Sequence, residues 1–146
     1  MIDKRIQIWN LLHDGEITAI SGEDSEILTM FVNIPHLRRR IPPLGDSFVL
    51  TLSGLSRIEF RDFSDSVSKL REEIDFGSPE ILYTDSDSMP ISIATTNGEL
   101  ILDFESISFA LDTGQVVEFE DIDRVCEEFW TEWENKYGKK DTEGQN

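Results

Sequence analysis

The chain opens with a helical period and then changes to a period of two. Ile2, Ile6, Trp9 and Leu12 or His13 recur at helical spacing. They predict a short helix over Asp3 to Leu12, started by Asp3 as its cap and stopped by Gly15 in a positive-φ turn. From Glu16 to about Phe119 alternation takes over. Glu16, Ile17 and Ala19 suggest a strand, turned by Gly22-Glu23-Asp24-Ser25. In Ile27 to Ile34 the residues Leu28, Met30, Val32 and Ile34 share one parity, and Phe31 on the other implies that both faces are partly covered. Pro35 ends that strand.

The longest strand signal runs from Asp46 to Phe63. Phe48, Leu50, Leu52, Ile58 and Phe60 keep one parity through Gly54, so the chain either bends there without changing face or turns a hairpin. Val67, Leu70 and Ile74 fit a turn or two of helix over Ser66 to Ile74, closed by Gly77-Ser78-Pro79. Ile81 to Thr84 and Met89 to Thr96 flank the polar turn Asp85-Ser86-Asp87-Ser88. Asn97-Gly98 between alternating runs is a hairpin signal. After it, Leu100, Leu102 and Phe104 are even but Ile107, Phe109 and Leu111 are odd. A bulge or strand break near Glu105-Ser106 accounts for the flip. Asp112-Thr113-Gly114 makes a turn, and Val116 to Phe119 a last strand.

The final element is helical. Ile122, Val125, Cys126, Phe129, Trp130, Trp133 and Tyr137 form one stripe, with Asp121 as the expected cap and Gly138 as the stop. Glu127, Glu128, Thr131, Glu132 and Asn135 lie opposite. Helix, seven or eight strands, then helix predicts a single α+β domain over residues 1–138. Its core would be one mostly antiparallel, twisted sheet, with a short N-terminal helix and a long amphipathic C-terminal helix covering one face or plugging one end. Residues 139–146 read as a polar, frayed tail.

Composition narrows what such a domain can do. Leu, Ile, Val and Phe make up about 30% of the 146 residues, enough for a buried core. Thirteen Lys and Arg stand against 30 Asp and Glu, a net charge of −17. That balance excludes nucleic acid and an anionic membrane surface as expected partners, because both are held by cations. No apolar run approaches the roughly 18 residues of a spanning helix, and the first residues lack the apolar region of a signal peptide. The single Cys126 forbids an internal disulfide. A cytoplasmic location is expected.

The charge is uneven. Residues 1–73 carry 9 basic and 12 acidic groups, and residues 74–146 carry 4 and 18. From Glu99 to Glu134 there are 12 carboxylates and one cation, Arg124. Concentrated this way, the charge becomes a local field that steers a basic partner. The candidate contact residues are Glu118, Glu120, Asp123, Glu127, Glu128 and Glu132, with Trp130 as an aromatic anchor beside them. Trp130, Trp133 and Tyr137 at helical spacing otherwise read as core.

Catalytic chemistry finds little to stand on, and no catalytic residue, metal ligand or cofactor is assigned. His13-Asp14-Gly15 has no accompanying nucleophile and reads as a helix end. His13, His36 and Cys126 are too few for a zinc site, and Asp85-Ser86-Asp87 departs from a calcium loop at Pro90 and Thr96. The basic run Arg38-Arg39-Arg40 is the best anion candidate. If extended, it places His36, Arg38 and Arg40 on one side as a clamp. The bland alternative is a solvated edge whose cations discourage strand pairing.

Three stretches carry a resemblance. They are Leu12-His13-Asp14-Gly15-Glu16-Ile17 after a short helix, Asp46-Ser47-Phe48-Val49-Leu50-Thr51-Leu52, and Gly98-Glu99-Leu100-Ile101-Leu102 in a late strand. In this layout the chain resembles the small acidic bacterial proteins that include the immunity proteins of toxin–immunity systems. The resemblance implies a protein that binds and occludes a basic toxin domain without catalytic residues of its own. It transfers no individual functional residue. The expected function is therefore an acidic protein-binding module of immunity or inhibitor type. The alternatives are an anion- or small-molecule-binding protein using the Arg38–Arg40 loop and a structural subunit that forms homo-oligomers.

Overall fold

The computed structural model describes residues 3–138. Ile2 and the tail 139–146, both named above, lie outside the described residues. Helix α1 (Lys4–Leu11) starts where the Asp3 carboxylate accepts the Arg5 N–H at 3.0 Å. Ile6, Ile8, Trp9 and the following Leu12 turn inward. The positive φ that closes the helix falls on Asp14, at 73°, and not on Gly15. Gly15 is required for another reason: a Cβ there would lie 2.7 Å from Val32 Cγ1 and 2.9 Å from the Leu12 carbonyl.

The strands are β1 (Glu16–Ser21), β2 (Ile27–Asn33), β3 (Ser47–Ser53), β4 (Arg57–Asp62), β5 (Val67–Ser68), β6 (Ile81–Tyr83), β7 (Ile91–Thr95), β8 (Gly98–Asp103), β9 (Ser106–Leu111) and β10 (Val116–Val117). Between them lie the short helices α2 (Pro35–Arg38) and α3 (Leu70–Phe76), and the chain continues into α4 (Phe119–Trp133) and a π turn, Glu134–Gly138. The class is α+β with antiparallel pairing, as the patterning predicts. The expected single sheet is corrected to two five-stranded sheets, ordered β1-β2-β3-β9-β10 and β5-β4-β8-β7-β6.

Two crossings at one corner make the difference. The chain leaves the first sheet after Ser53 and returns to it at Ser106, and the two crossings run side by side. Glu105 N–H donates to the Ser53 carbonyl at 2.9 Å, and Ser56 N–H to the Asp103 carbonyl at 2.9 Å. Gly54 turns the corner at φ 69°, with Glu105 side-chain atoms where a Cβ would sit. The pairing is Ser53 with Ser106 before the corner and Arg57 with Asp103 after it. One crossing therefore holds three residues and the other two. The odd residue explains why the core-facing parity persists through Gly54 yet flips at Glu105-Ser106. Leu55 and Phe104 fill the corner.

The sheets meet again where β1 begins. Glu16 bridges to Glu80, and Ile17 N–H donates to the Pro79 carbonyl at 2.9 Å. One contiguous core joins Leu28, Met30 and Val32 to Phe48, Leu50, Leu52, Phe60, Ile93, Leu100 and the inner faces of α1 and α4. Phe31 is 36% exposed, beside the half-buried Val49 and Thr51, so the outer face of that sheet is partly covered. Two local expectations are corrected. Val67 belongs to β5 and is exposed, so the helix begins only at Leu70. Phe119 opens α4 instead of closing a strand. The Asn97-Gly98 signal does mark a hairpin, though its two loop residues are Thr96 and Asn97, and Thr95 pairs with Gly98. No helix among the described residues is long and apolar enough to cross a membrane.

Candidate functional site

Helix α4 begins with its cap on Glu118 and not on Asp121. Asp121 sits three positions on and accepts the Glu118 N–H at 2.9 Å, which ties down the first turn. Phe119, Ile122, Val125 and Cys126 are buried, against α1 and α2 among other elements. The outer side keeps the charge. Glu118, Glu120, Glu127, Glu128 and Glu132 are exposed, and Asp123 is half-buried. Arg124 reaches Asp121 and Glu128 at 3.5 Å each. Among the described residues no ion pair engages Glu118, Glu120, Asp123 or Glu127. The field proposed from composition is thus not neutralised where α4 faces outward.

The aromatic residues divide in two. Trp130 is half-buried: its ring stacks on His13 with centroids 5.2 Å apart and planes 18° apart, and Phe129 meets it edge-on at 5.0 Å. Trp133 and Tyr137, read from spacing as core, are 47% and 46% exposed and lie 5.3 Å apart. Helix length explains this. At about 1.5 Å per residue the eight residues of α1 cover only the first part of α4, and the apolar stripe runs on past them. That mismatch was the signal available in the sequence. With Phe129, Arg40, Glu132 and Lys136, the two rings line a groove of about 440 Å³.

The basic run is built differently from the expected extended clamp. Residues 35–38 are helical, so His36, Arg38 and Arg40 point to different places. Arg38 is fully buried. Its Nε donates to the Ser47 carbonyl at 3.1 Å and to Asp112 at 2.9 Å, its Nη1 donates to the Ile41 carbonyl at 2.8 Å, and its Nη2 lies 2.8 Å from Asp112. It is closed to any ligand. Arg40 forks onto Glu132, with Nη1 3.1 Å from Oε1, and lies 5.5 Å over the Phe129 ring. His36 also packs against Phe129, at 4.6 Å, where burial pushes its pKa down. Arg40 and His36 attach the α2 segment to α4, whereas Arg38 ties it to Ser47 and Asp112.

Glu132 is solvent-exposed, so the Arg40 pair contributes little to folding. Arg40→Ala is expected to leave the melting midpoint within about 2 °C of the parent chain in a thermal scan. It also removes one positive charge from the rim of the groove.

Among the described residues, no group of three His, Cys, Asp or Glu side chains is placed to hold a metal. Cys126 is buried, with Sγ 3.6 Å from the Leu11 carbonyl. Burial, reinforced by Asp123, raises its thiol above the ordinary range. A thiol reagent is expected to label Cys126 at least about a hundredfold more slowly in the native chain than in urea. Equal rates would show that α4 is not seated on the core. No known family pattern matches the chain, and neither a curated protein nor a solved structure is significantly similar to it.

Proposed function

We propose that the chain is an acidic protein-binding module, of immunity or inhibitor type, that seats a basic protein on the outer side of α4. The supporting observation is that Glu118, Glu120 and Glu127 are exposed and in no ion pair among the described residues, on the helix whose last turns lead to the half-exposed Trp133 and Tyr137. Carboxylates accelerate encounter with a cationic surface, and aromatic rings at the end of the row supply the desolvated contact that slows release. The rings are suited to cations. Arg40 already lies over Phe129, and Lys136 lies 5.4 Å from the Tyr137 ring centroid. An arginine or lysine of the partner would find the same chemistry in the groove. Binding of this kind makes and breaks no covalent bond. It acts by covering what the partner uses.

The test is retention on the immobilised chain at about 0.05 M and about 0.5 M salt, because screening shortens the reach of the field. A basic protein is expected to bind stoichiometrically at low salt and to lose its own activity when bound. Charge reversal at Glu120, Asp123, Glu127 and Glu128, and separately Trp133→Ala with Tyr137→Ala, is expected to weaken it by on the order of a hundredfold. Retention unchanged by the charge reversal would overturn the reading.

A further inference from the structure

A second surface, with exposed aromatic rings set among charged and small side chains, lies on the other sheet and shares no residue with α4. Its floor is a cross-strand row on the outer face, Arg61 beside Glu99, Glu99 beside Ala94, and Ala94 beside Tyr83. The opposite face of the same strands carries the buried Phe60, Leu100 and Ile93. Small Ala94 and Ser92 make the row a trough. Leu82 and Tyr83 wall one side and Phe63 the other, around a depression of about 580 Å³. Past Phe63 a second depression of about 870 Å³ opens over Gly77, Ser78 and the Thr96-Asn97 loop, bounded by Phe76. Asp62 and Phe63 line both.

The exposure of these rings is large. Phe63 is 81% exposed, Phe76 92% and Tyr83 56%. Exposed aromatic rings around a mixed polar floor are the groups that anchor a protein partner. Phe63 is also not on a loose tip. Asp62 Oδ1 accepts the N–H groups of Ser64 at 2.8 Å and Ser66 at 3.0 Å, and Asp62 N–H closes on the Ser66 carbonyl at 3.0 Å. A ring held out by a hydrogen-bonded turn loses little freedom on binding.

The rim selects the occupant. Asp65, Asp85 and Glu99 border the first depression, and Glu16, Glu72 and Glu73 border the second. Among the described residues none of the six is in an ion pair. The cation lining the pair of depressions, Arg61, is bonded to Glu59 at 2.7 Å. A second copy of this chain would bring like charge to the same place. We propose that this trough is a second docking surface, and that it takes a basic polypeptide segment whose apolar side chains fall on either side of Phe63 and whose lysines or arginines meet the carboxylate rim. It stands independently of α4, and makes the chain a two-surface binder.

The test is titration of the isotope-labelled full chain with a short lysine-rich peptide containing leucine and tryptophan, followed by amide chemical shifts. The analogue with glutamate at every lysine serves as the comparison. Shifts are expected at Phe63–Ser66, Gly77–Ser78 and Ser92–Glu99, with affinity falling about tenfold or more at high salt and no response to the acidic analogue. Phe63→Ser with Phe76→Ser should weaken binding about tenfold while leaving the remaining amides in place, since both rings are exposed. Shifts confined to α4 would overturn the second surface and leave the first untouched. Equal response to the acidic peptide, or an unaffected double variant, would also overturn it. Shifts at these amides that depend on chain concentration without peptide would assign the trough to self-association instead.

Discussion

Asp112→Ala is expected to cost about 3–5 kcal/mol of folding stability, read as a fall in the urea midpoint with an unchanged slope. The reason is what remains. Arg38 has no solvent exposure, and Asp112 is its charge partner. The same carboxylate accepts the N–H groups of Asp46 at 3.1 Å and Ser47 at 3.2 Å, so it also joins the α2 loop to the start of β3. Alanine leaves a buried guanidinium with only the Ser47 and Ile41 carbonyls and no counter-charge. Arg38→Met together with Asp112→Leu removes both charges and is expected to cost less than Asp112→Ala alone. The pH dependence follows from the same contacts. Burial pushes the Asp112 carboxyl up, but the Asp46 N–H, the Arg38 guanidinium and the Ser47 N–H outweigh it and hold it below its ordinary 3.8. A carboxyl whose folded pKa is depressed adds stability above its unfolded value and loses that stability as pH falls through the folded one. The gap between the parent chain and Asp112→Ala should therefore narrow as pH drops below about 4. A constant gap would contradict the ion pair.

Trp9→Ala is the second large effect, expected at about 3–5 kcal/mol. Trp9 is completely buried in α1, the helix that contacts β6, β9 and α4, and its Nε1 donates to the Arg5 carbonyl at 2.8 Å. Removing the indole opens a cavity beneath α1, which packs against the helix that carries the candidate site. Trp9→Phe keeps much of the apolar contact and should lose less. The loss should also be visible at the site. Cys126 faces the same junction, so its labelling rate should rise in Trp9→Ala and stay low in Trp9→Phe. Unchanged protection in Trp9→Ala would show that α4 does not depend on α1.

The elements that periodicity showed well are those with one wet face. The even residues of β2 and β3 and the stripe Ile122, Val125, Cys126 are buried as their spacing requires. The partition into two sheets was hidden because its two signals lie about 50 residues apart. Parity held through Gly54 and flipped at Glu105-Ser106, and only their pairing shows that both mark one corner. Arg38 was hidden among its neighbours. Three consecutive arginines read alike until a helical turn sends Arg38 inward and leaves Arg39 outside, and its partner Asp112 lies 74 residues away. Which ring of the aromatic stripe is open to a partner was hidden for a related reason. Trp130 and Trp133 share one stripe, and which of them is covered depends on where α1 ends. Phe63 and Phe76 stand off the patterns beside them, Phe63 odd after the even Ile58 and Phe60 and Phe76 off the Val67, Leu70, Ile74 spacing, but one residue off a pattern does not by itself mark a surface ring.

Eight of the 30 carboxylates lie between Glu118 and Glu134, and the proposed function requires that this stretch steer a partner. Its most direct test is the association rate of the purified basic partner with the parent chain and with the chain reversed at Glu120, Asp123, Glu127 and Glu128. The rate should be measured across ionic strength. The parent's rate is expected to fall by about tenfold or more between low and high salt, and the reversed chain to bind slowly at every salt concentration. Equal rates with equal salt dependence in the two chains would contradict it.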